Sequence, residues 1–249
     1  MRKILSKAFG FFKNNRNQDS GIIDKHGNSL NMDYRLFYFL MNEYGYNKKH
    51  QILSDSEYNN KDLIPVFRGY EQFEYGRNHI FDDSYHFGVG ALYGDGIYFT
   101  SAMDEAYNYS FNREKCLNLT TNKVLEAKVD AENVITFNDI VMIKTYLMSK
   151  LNNKNIDNHS AIIANSKKIN EILSFINSIN DVNIQLEFGF SLLNNYSSIA
   201  ILLGFDAILT ERRGREYIVA LDRRKVCVSE STASRFLSGA EAERVESAK

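Results

Sequence analysis

YGDGIYFT, the stretch from Tyr93 to Thr100, decides the fold of this chain. Two glycines, Gly94 and Gly96, come before the β-favouring run that begins at Ile97, so the pattern predicts a tight turn leading into a strand. The order matters, because the phosphate loop of a dinucleotide-binding domain follows its strand and opens a helix. We therefore expect a turn-then-strand unit here and not a Rossmann-type phosphate loop.

A helix is expected directly after this strand. Ser101 is a suitable N-cap, and the residues from Ala102 to Tyr109 can continue as a helix. On the upstream side, Gly88 and Gly90 extend the glycine-rich segment and predict a loop.

The rest of the chain divides into helical and strand-rich parts. Helix-like periods are found at 34–41, 162–176 and 190–203, and strand-like apolar runs at 63–67, 124–129, 207–209, 217–221 and 226–228. These patterns predict an N-terminal helical region over 1–62, a β-rich domain over 63–228 with a helical insertion at about 138–203, and a polar, solvated tail over 229–249.

The composition excludes several classes of protein. A formal net charge of −1 over 249 residues means that any nucleic-acid surface would be a local patch. No run approaches the roughly twenty apolar residues that span a bilayer, and the basic start lacks a clear secretory segment. Cys116 and Cys227 lie far apart without metal-ligand spacing, which favours reduced thiols. We expect a cytoplasmic protein with no membrane partner and no metal, although delivery into a target cell is compatible with the sequence.

Four segments contain candidate functional residues, and each of them alone is ordinary. They are Phe67-Arg68-Gly69 at a strand end, the stretch 93–100 with AYNY at 106–109, the turn at 204–208, and EYIV at 216–219. An arginine or a glutamate at a strand end is most often an exposed charge, and a glycine-rich turn is most often structural.

In this order, however, the segments resemble the ADP-ribosyltransferase superfamily. Residues 93–100 with 106–109 look like the nicotinamide-pocket stretch of the poly(ADP-ribose) polymerases, Gly-x-Gly-Ile-Tyr-Phe followed by a helix that ends in tyrosine. EYIV at 216–219 is similar to the catalytic strand of that family, which opens with glutamate. The resemblance implies an α+β fold with a split β-sheet core, here with N-terminal helices and a helical insertion.

Two departures from the polymerase pattern are informative. Arg68-Gly69 stands where the polymerases have His-Gly, and an arginine there resembles the bacterial toxin branch of mono-ADP-ribosyltransferases. Ala106 stands where the polymerases have a serine that binds the carboxamide of nicotinamide, and Thr100 or Ser101 could substitute for it.

The resemblance implies NAD⁺ as the substrate, and physical chemistry supports the same roles. Glu216 would stabilise the oxocarbenium-like transition state that forms when the bond between nicotinamide and ribose breaks. Arg68 could hold the pyrophosphate or the ribose through its fork of donors. Tyr98 and Tyr109 would stack on the two sides of the nicotinamide, and Gly69 offers backbone groups to its carboxamide. Gly96, Thr100 and Ser101 complete the predicted pocket.

The acceptor of the ADP-ribose is less determined. Arginine-specific toxins carry a glutamate two residues before the catalytic one, and this chain has Gly214 there, which argues against an arginine acceptor. Arg212, Arg213 and Arg215 precede Glu216 and could bind phosphates, so a nucleic acid is slightly favoured over a protein. A solvated charged loop is the plain alternative.

Other functions stay open at this stage. They are an NAD⁺ glycohydrolase toxin, a relative of the RNA 2′-phosphotransferases, and a silent binding module. If the chain is a bacterial or phage toxin or defence effector that modifies RNA or DNA, a neutralising antitoxin is an expected partner.

Overall fold

The computed structural model describes residues 1–16, 32–69, 92–110, 124–154 and 159–234. Within them, eight strands form one mixed sheet. The strands are β1 (Gln51–Leu53), β2 (Pro65–Gly69), β3 (Ile97–Thr100), β4 (Val124–Val129), β5 (Val134–Thr136), β6 (Ala207–Arg212), β7 (Arg215–Ala220) and β8 (Val226–Ser229).

Helices occupy the N-terminal segment and a long stretch between β5 and β6. They are α1 (Arg2–Asn15), α2 (Met32–Tyr44), α3 (Asp55–Asn60), α4 (Met103–Ser110), α5 (Phe137–Leu151), α6 (Ser160–Ala164), α7 (Ser166–Asn177), α8 (Val182–Leu193) and α9 (Tyr196–Leu203). A single 3₁₀ turn (Arg223–Lys225) precedes β8. The architecture agrees with the predicted α+β class at this level of description.

The sheet has the order β1-β8-β4-β2-β3-β7-β6-β5. The two outermost pairs, β1 with β8 and β5 with β6, are parallel, and the inner pairs are antiparallel. The centre of the sheet is therefore built from β2, β3 and β7, the strands that contain the predicted site residues.

A two-residue turn joins β6 to β7. Arg213 and Gly214 have φ angles of 56° and 72°, and residues with positive φ at both central positions form the turn type that matches the twist of a hairpin. The register of the two strands follows from this turn: Arg212 pairs with Arg215, and Glu211 pairs with Glu216.

The N-terminal helices and the inserted helices form one layer. α2 contacts α8 and α9, and α1 contacts α2 and α7. Aromatic rings join them, since Phe9 and Phe12 of α1 meet the ring of Phe188 at centroid distances of 5.3 and 5.4 Å. α2 is buried nearly all round, as its apolar composition predicts, with Leu36 and Leu40 fully enclosed.

Three details differ from the sequence-based expectations. The N-terminal region is not purely helical, because β1 within it pairs with β8 at one edge of the sheet. The helical periods at 162–176 and 190–203 are each interrupted, the first at Asn165 between α6 and α7, the second at Asn194 and Asn195 before α9. Asn195 interrupts the second period because it is the N-cap of a new helix, α9. Its side chain accepts hydrogen bonds from the Ser197 and Ser198 amides.

None of the helices in the described ranges is both long enough and apolar enough to span a bilayer.

Candidate functional site

The ladder between β2 and β3, the two central strands of the sheet, is short. In the described chain Phe67 pairs with Thr100 across these strands, whereas β2 pairs with β4 over five residues and β3 pairs with β7 over four. At the next positions Arg68 Nη1 donates a hydrogen bond to the Tyr98 carbonyl oxygen, 3.1 Å away. The Arg68 side chain thus binds a backbone carbonyl oxygen of β3 that a β2 amide would bind if the ladder continued. We call this place the β2–β3 gap.

Gly69 is the last residue of β2 and borders this gap. On one side it pairs with Val124 of β4, and its other side faces β3 beyond the Phe67–Thr100 pair. Because glycine has no side chain, a planar group in the gap could approach its backbone closely.

The register of β3 and β7 assigns the predicted residues to the two faces of the sheet. Directly opposed residues of antiparallel strands share a face, and neighbours along a strand alternate. Tyr98 opposes Val219 and Thr100 opposes Tyr217, so these four side chains share one face.

Contacts on this first face agree with the assignment. Tyr98 donates its hydroxyl hydrogen bond to the Gly94 carbonyl at 2.5 Å and accepts one from the Tyr93 amide at 3.1 Å. The ring of Tyr93 in turn lies 6.4 Å from that of Tyr217. The Tyr98 ring is half-buried, and its hydroxyl is held by the turn that precedes β3.

Arg68 and Glu216 belong to the second face. Phe99 opposes Ile218, and Glu216 lies two residues before Ile218 on the same side of β7. Arg68 is the β2 neighbour of Phe99 in the continued register. Arg68 and Glu216 are thus two strands apart across the sheet and two residues apart along the strands.

Glu216 is fixed by its backbone and free at its carboxylate. Its carbonyl oxygen accepts a hydrogen bond from the Ser101 amide at 3.1 Å, which continues the β3–β7 ladder by one residue. Its side chain is exposed, with no hydrogen-bond or ion-pair partner among the residues that the structure describes.

Glu211 is a residue that the sequence analysis missed. It pairs with Glu216 across the hairpin, so the two exposed carboxylates lie side by side on the second face. The prediction about the acceptor rested on position 214 alone, which lies two residues before Glu216 in the sequence. The sequence does contain a signal for this pairing, because Arg213-Gly214 is suited to a two-residue hairpin turn. A hairpin with that turn places Glu211 opposite Glu216.

The three arginines of the hairpin are in two different situations. Arg215 lies on the α4 side, where Nη2 binds Asp104 and Nη1 binds Glu105, both at 2.7 Å. The hydrogen bond from Arg215 lowers the pKa of the Asp104 carboxyl. Arg212 and Arg213 are exposed and form no ion pair within the described part of the chain. Only these two present uncommitted guanidinium groups at the hairpin tip.

α4 is anchored over the face that contains Tyr98. Besides the two ion pairs of Arg215, the Tyr217 hydroxyl donates to Glu105 at 2.7 Å. Tyr109 belongs to α4, but its side chain lies outside the described residues, as do Gly88, Gly90 and Cys116. Tyr109, the predicted stacking partner of Tyr98, is therefore part of a helix that packs on the Tyr98 face.

The remaining predicted pocket residues surround the start and end of β3. Thr100 is buried, and its hydroxyl oxygen accepts from the Ala102 amide at 3.2 Å in the turn before α4, whereas Ser101 is exposed. Ala106 is buried. A Cβ on Gly96 would lie 2.6 Å from Val219 Cγ1 and 2.8 Å from the Ala220 carbonyl oxygen, so only glycine fits there.

No group of three or more histidine, cysteine, aspartate or glutamate side chains in the described ranges is placed to hold a metal ion. Compared with known proteins, the chain matches no protein-family model, no curated protein and no solved structure.

Proposed function

We propose that this protein is a mono-ADP-ribosyltransferase, which moves ADP-ribose from NAD⁺ to a macromolecular acceptor and releases nicotinamide. The main support is the β2–β3 gap. There the ladder between two central strands ends, Arg68-Gly69 lies at the edge of the gap, and Tyr98 and Glu216 lie within two strands of it. Three residues of the motifs that resemble the ADP-ribosyltransferase superfamily lie on the adjacent strands β2, β3 and β7, which supports our proposal of the split-sheet fold of that family.

The donor would bind across the gap. Nicotinamide would lie on the face of Tyr98 and α4, with Tyr98 and Tyr109 as stacking partners and the backbone of Gly69 facing its carboxamide. Thr100 and Ser101 lie at the same end of β3. The ribose and pyrophosphate would extend to the second face, where Arg68 supplies donors for phosphate oxygens.

Glu216 would act on the sugar. As the bond between C1″ of the ribose and the nicotinamide nitrogen breaks, the electron pair leaves with nicotinamide and positive charge develops on the ribose. A carboxylate that has no partner in the described part of the chain can stabilise that charge through space and can accept a hydrogen bond from a ribose hydroxyl. The acceptor then bonds to C1″ and loses its proton.

The hairpin tip would face the acceptor, and two observations bear on its class. The uncommitted guanidinium groups of Arg212 and Arg213 favour a phosphate-bearing acceptor, so nucleic acid is our first candidate. Glu211 beside Glu216 favours a cationic protein group instead, because a second carboxylate would attract and orient it. Arg215 contributes less to either surface, since two carboxylates already neutralise it.

The test is to incubate the protein with a cell lysate and NAD⁺ labelled in its adenylate part. The labelled product is then divided and digested with protease or with nuclease, and Glu216→Gln serves as the inactive control. Label that only nuclease releases supports a nucleic-acid acceptor, and label that only protease releases supports a protein acceptor. Nicotinamide release without any macromolecular label would identify an NAD⁺ glycohydrolase, and absence of nicotinamide release would refute the proposal.

A growth assay tests the proposed toxin role. Expression of the active protein should slow the growth of its host, Glu216→Gln should relieve this, and a neutralising antitoxin would be sought by suppression. Healthy growth with abundant active enzyme would refute the toxin role and would leave the proposed enzymatic activity standing.

A further inference from the structure

We propose that Asp95 is a positioning residue of the NAD⁺ pocket. Its carboxylate anchors the turn before β3 to two helices of the helical layer, and the same turn binds the Tyr98 hydroxyl. The part that concerns NAD⁺ rests on the proposed function, whereas the part that concerns Tyr98 does not.

The Asp95 carboxylate is buried and hydrogen-bonded at both oxygens. Its exposed fraction is 5 %. Oδ1 accepts a hydrogen bond from the Tyr34 hydroxyl at 2.8 Å, and Oδ2 accepts one from the Asn195 side-chain amide. No lysine, arginine or histidine forms an ion pair with it in the part of the chain that the structure describes. Burial raises the pKa of this carboxyl, and its two hydrogen bonds act in the opposite direction. A buried carboxylate without a cation is costly, which argues for a specific role.

The two partners come from distant parts of the sequence. Tyr34 lies in the first turn of α2. Asn195 is the N-cap of α9, where its side-chain oxygen accepts from the amides of Ser197 and Ser198 at 2.9 and 3.2 Å. The amide group of Asn195 thus caps α9 with its oxygen and holds Asp95 with its nitrogen, which joins α2, α9 and the turn before β3.

The turn is closely packed on two sides. Gly94 has a φ angle of 104°, and a Cβ there would lie 2.5 Å from Ser197 Oγ. On the opposite side Gly96 abuts β7. The Gly94 carbonyl accepts the Tyr98 hydroxyl, so the path of contacts runs from the two helices through Asp95 and Gly94 to Tyr98.

Loss of the Asp95 carboxylate should therefore act on binding more than on chemistry. Without it the turn can move, and the Tyr98 ring can leave the orientation in which it would stack on nicotinamide. A side chain displaced from its preferred rotamer costs on the order of 1 kcal/mol, which corresponds to a change of about fivefold in an equilibrium constant. Glu216 lies on β7 and keeps its position, so the rate from the bound state should change little.

The experiment compares three variants and a matched control. Asp95→Ala removes both hydrogen bonds. Asp95→Asn can restore them, because its oxygen can accept from Asn195 and its amide can donate to the Tyr34 hydroxyl. Tyr34→Phe removes one bond by a mild change, which keeps a test available if the alanine variant does not fold. The control is Asp222→Ala, which removes another buried carboxylate, 1 % exposed, from its ion pair with Arg224 at 2.6 Å.

Two readouts keep this proposal separate from the proposed function. For nicotinamide release, Asp95→Ala should raise KM for NAD⁺ about fivefold with kcat nearly unchanged, Tyr34→Phe less so, and Asp95→Asn should restore KM. Without any NAD⁺, hydrogen exchange of the Tyr93 amide, which donates to the Tyr98 hydroxyl, should accelerate in Asp95→Ala and not in Asp222→Ala.

Unchanged exchange at Tyr93 in Asp95→Ala would overturn the proposal, and so would an equal rise of KM in Asp222→Ala. If wild-type protein bound no NAD⁺, the proposed function would fail, and the exchange result would still decide whether Asp95 positions Tyr98.

Discussion

Replacing Glu216 with glutamine should lower activity and raise stability at the same time. Glutamine has the size of glutamate, and the Glu216 side chain is exposed without a partner in the described structure, so the change removes no folding contact. It does remove a repulsion, because Glu211 lies directly across the hairpin. Cross-strand pairs contribute roughly 0.2–1 kcal/mol, and like charges contribute unfavourably. We expect a stabilisation of about 0.5 kcal/mol, which for a chain of this size is a rise in Tm of about 1–2 °C.

The effect on activity has the opposite sign and is much larger. Loss of one preorganised electrostatic group costs on the order of 10²–10³ in rate, or about 3–4 kcal/mol. NAD⁺ affinity should stay close to that of the wild type, because the positive charge that Glu216 would stabilise develops only in the transition state.

Three measurements on one preparation test this. Nicotinamide release gives kcat and KM, calorimetry gives NAD⁺ affinity, and thermal unfolding gives Tm. Glu211→Gln is the matched control, because it removes the same repulsion and should show the same rise in Tm while keeping nicotinamide release.

Wild-type release of nicotinamide by Glu216→Gln would refute the catalytic assignment. A lower Tm together with lost activity would refute the electrostatic reasoning, since it would mean that the side chain has a structural role.

Three further predictions concern neighbouring residues. Tyr98→Ala should weaken NAD⁺ binding in calorimetry more than Tyr98→Phe, which keeps the ring and loses only the hydrogen bond to the Gly94 carbonyl; equal losses would point to the hydroxyl instead. Replacing Arg212 and Arg213 together with alanine should reduce macromolecular labelling and its steep salt dependence without a change in Tm, and labelling that persists would exclude a phosphate-bearing acceptor. Asp95→Asn should flatten the pH dependence of stability. Because folding raises the pKa of Asp95, the wild type should lose stability as pH rises from the unfolded value of about 3.9 through the raised one, and parallel denaturation curves for both proteins would contradict this.

Local pattern was sufficient for two of the central strands, β3 and β4. The apolar, β-branched runs at 97–100 and 124–129 coincide with β3 and β4. β1 could not be predicted in the same way, because three residues contain no measurable period, and they become a strand only by pairing with β8 at the other end of the described chain.

The arrangement of the site depended on register, which no single segment contains. The sequence placed Arg68, Tyr98 and Glu216 in one predicted pocket. Only the pairing of β2, β3 and β7 distributes them over two faces of the sheet, with Arg68 and Glu216 on one and Tyr98 on the other. The neighbour of Glu216 could not be found from sequence spacing either. Glu211 lies beside Glu216 because the hairpin pairs them, and not because it lies two residues before Glu216 in the sequence.

The strand order also determines when the predicted site residues can come together during synthesis. β3 has β2 and β7 as its neighbours, and β7 is made only after the long helical stretch that follows β5. While a ribosome is still translating that stretch, β3 has one open edge and Glu216 does not yet exist. Non-local pairing of this kind forms late and slowly. If the proposed function is right, the pocket should therefore stay incomplete in a nascent chain until β7 has emerged from the ribosome.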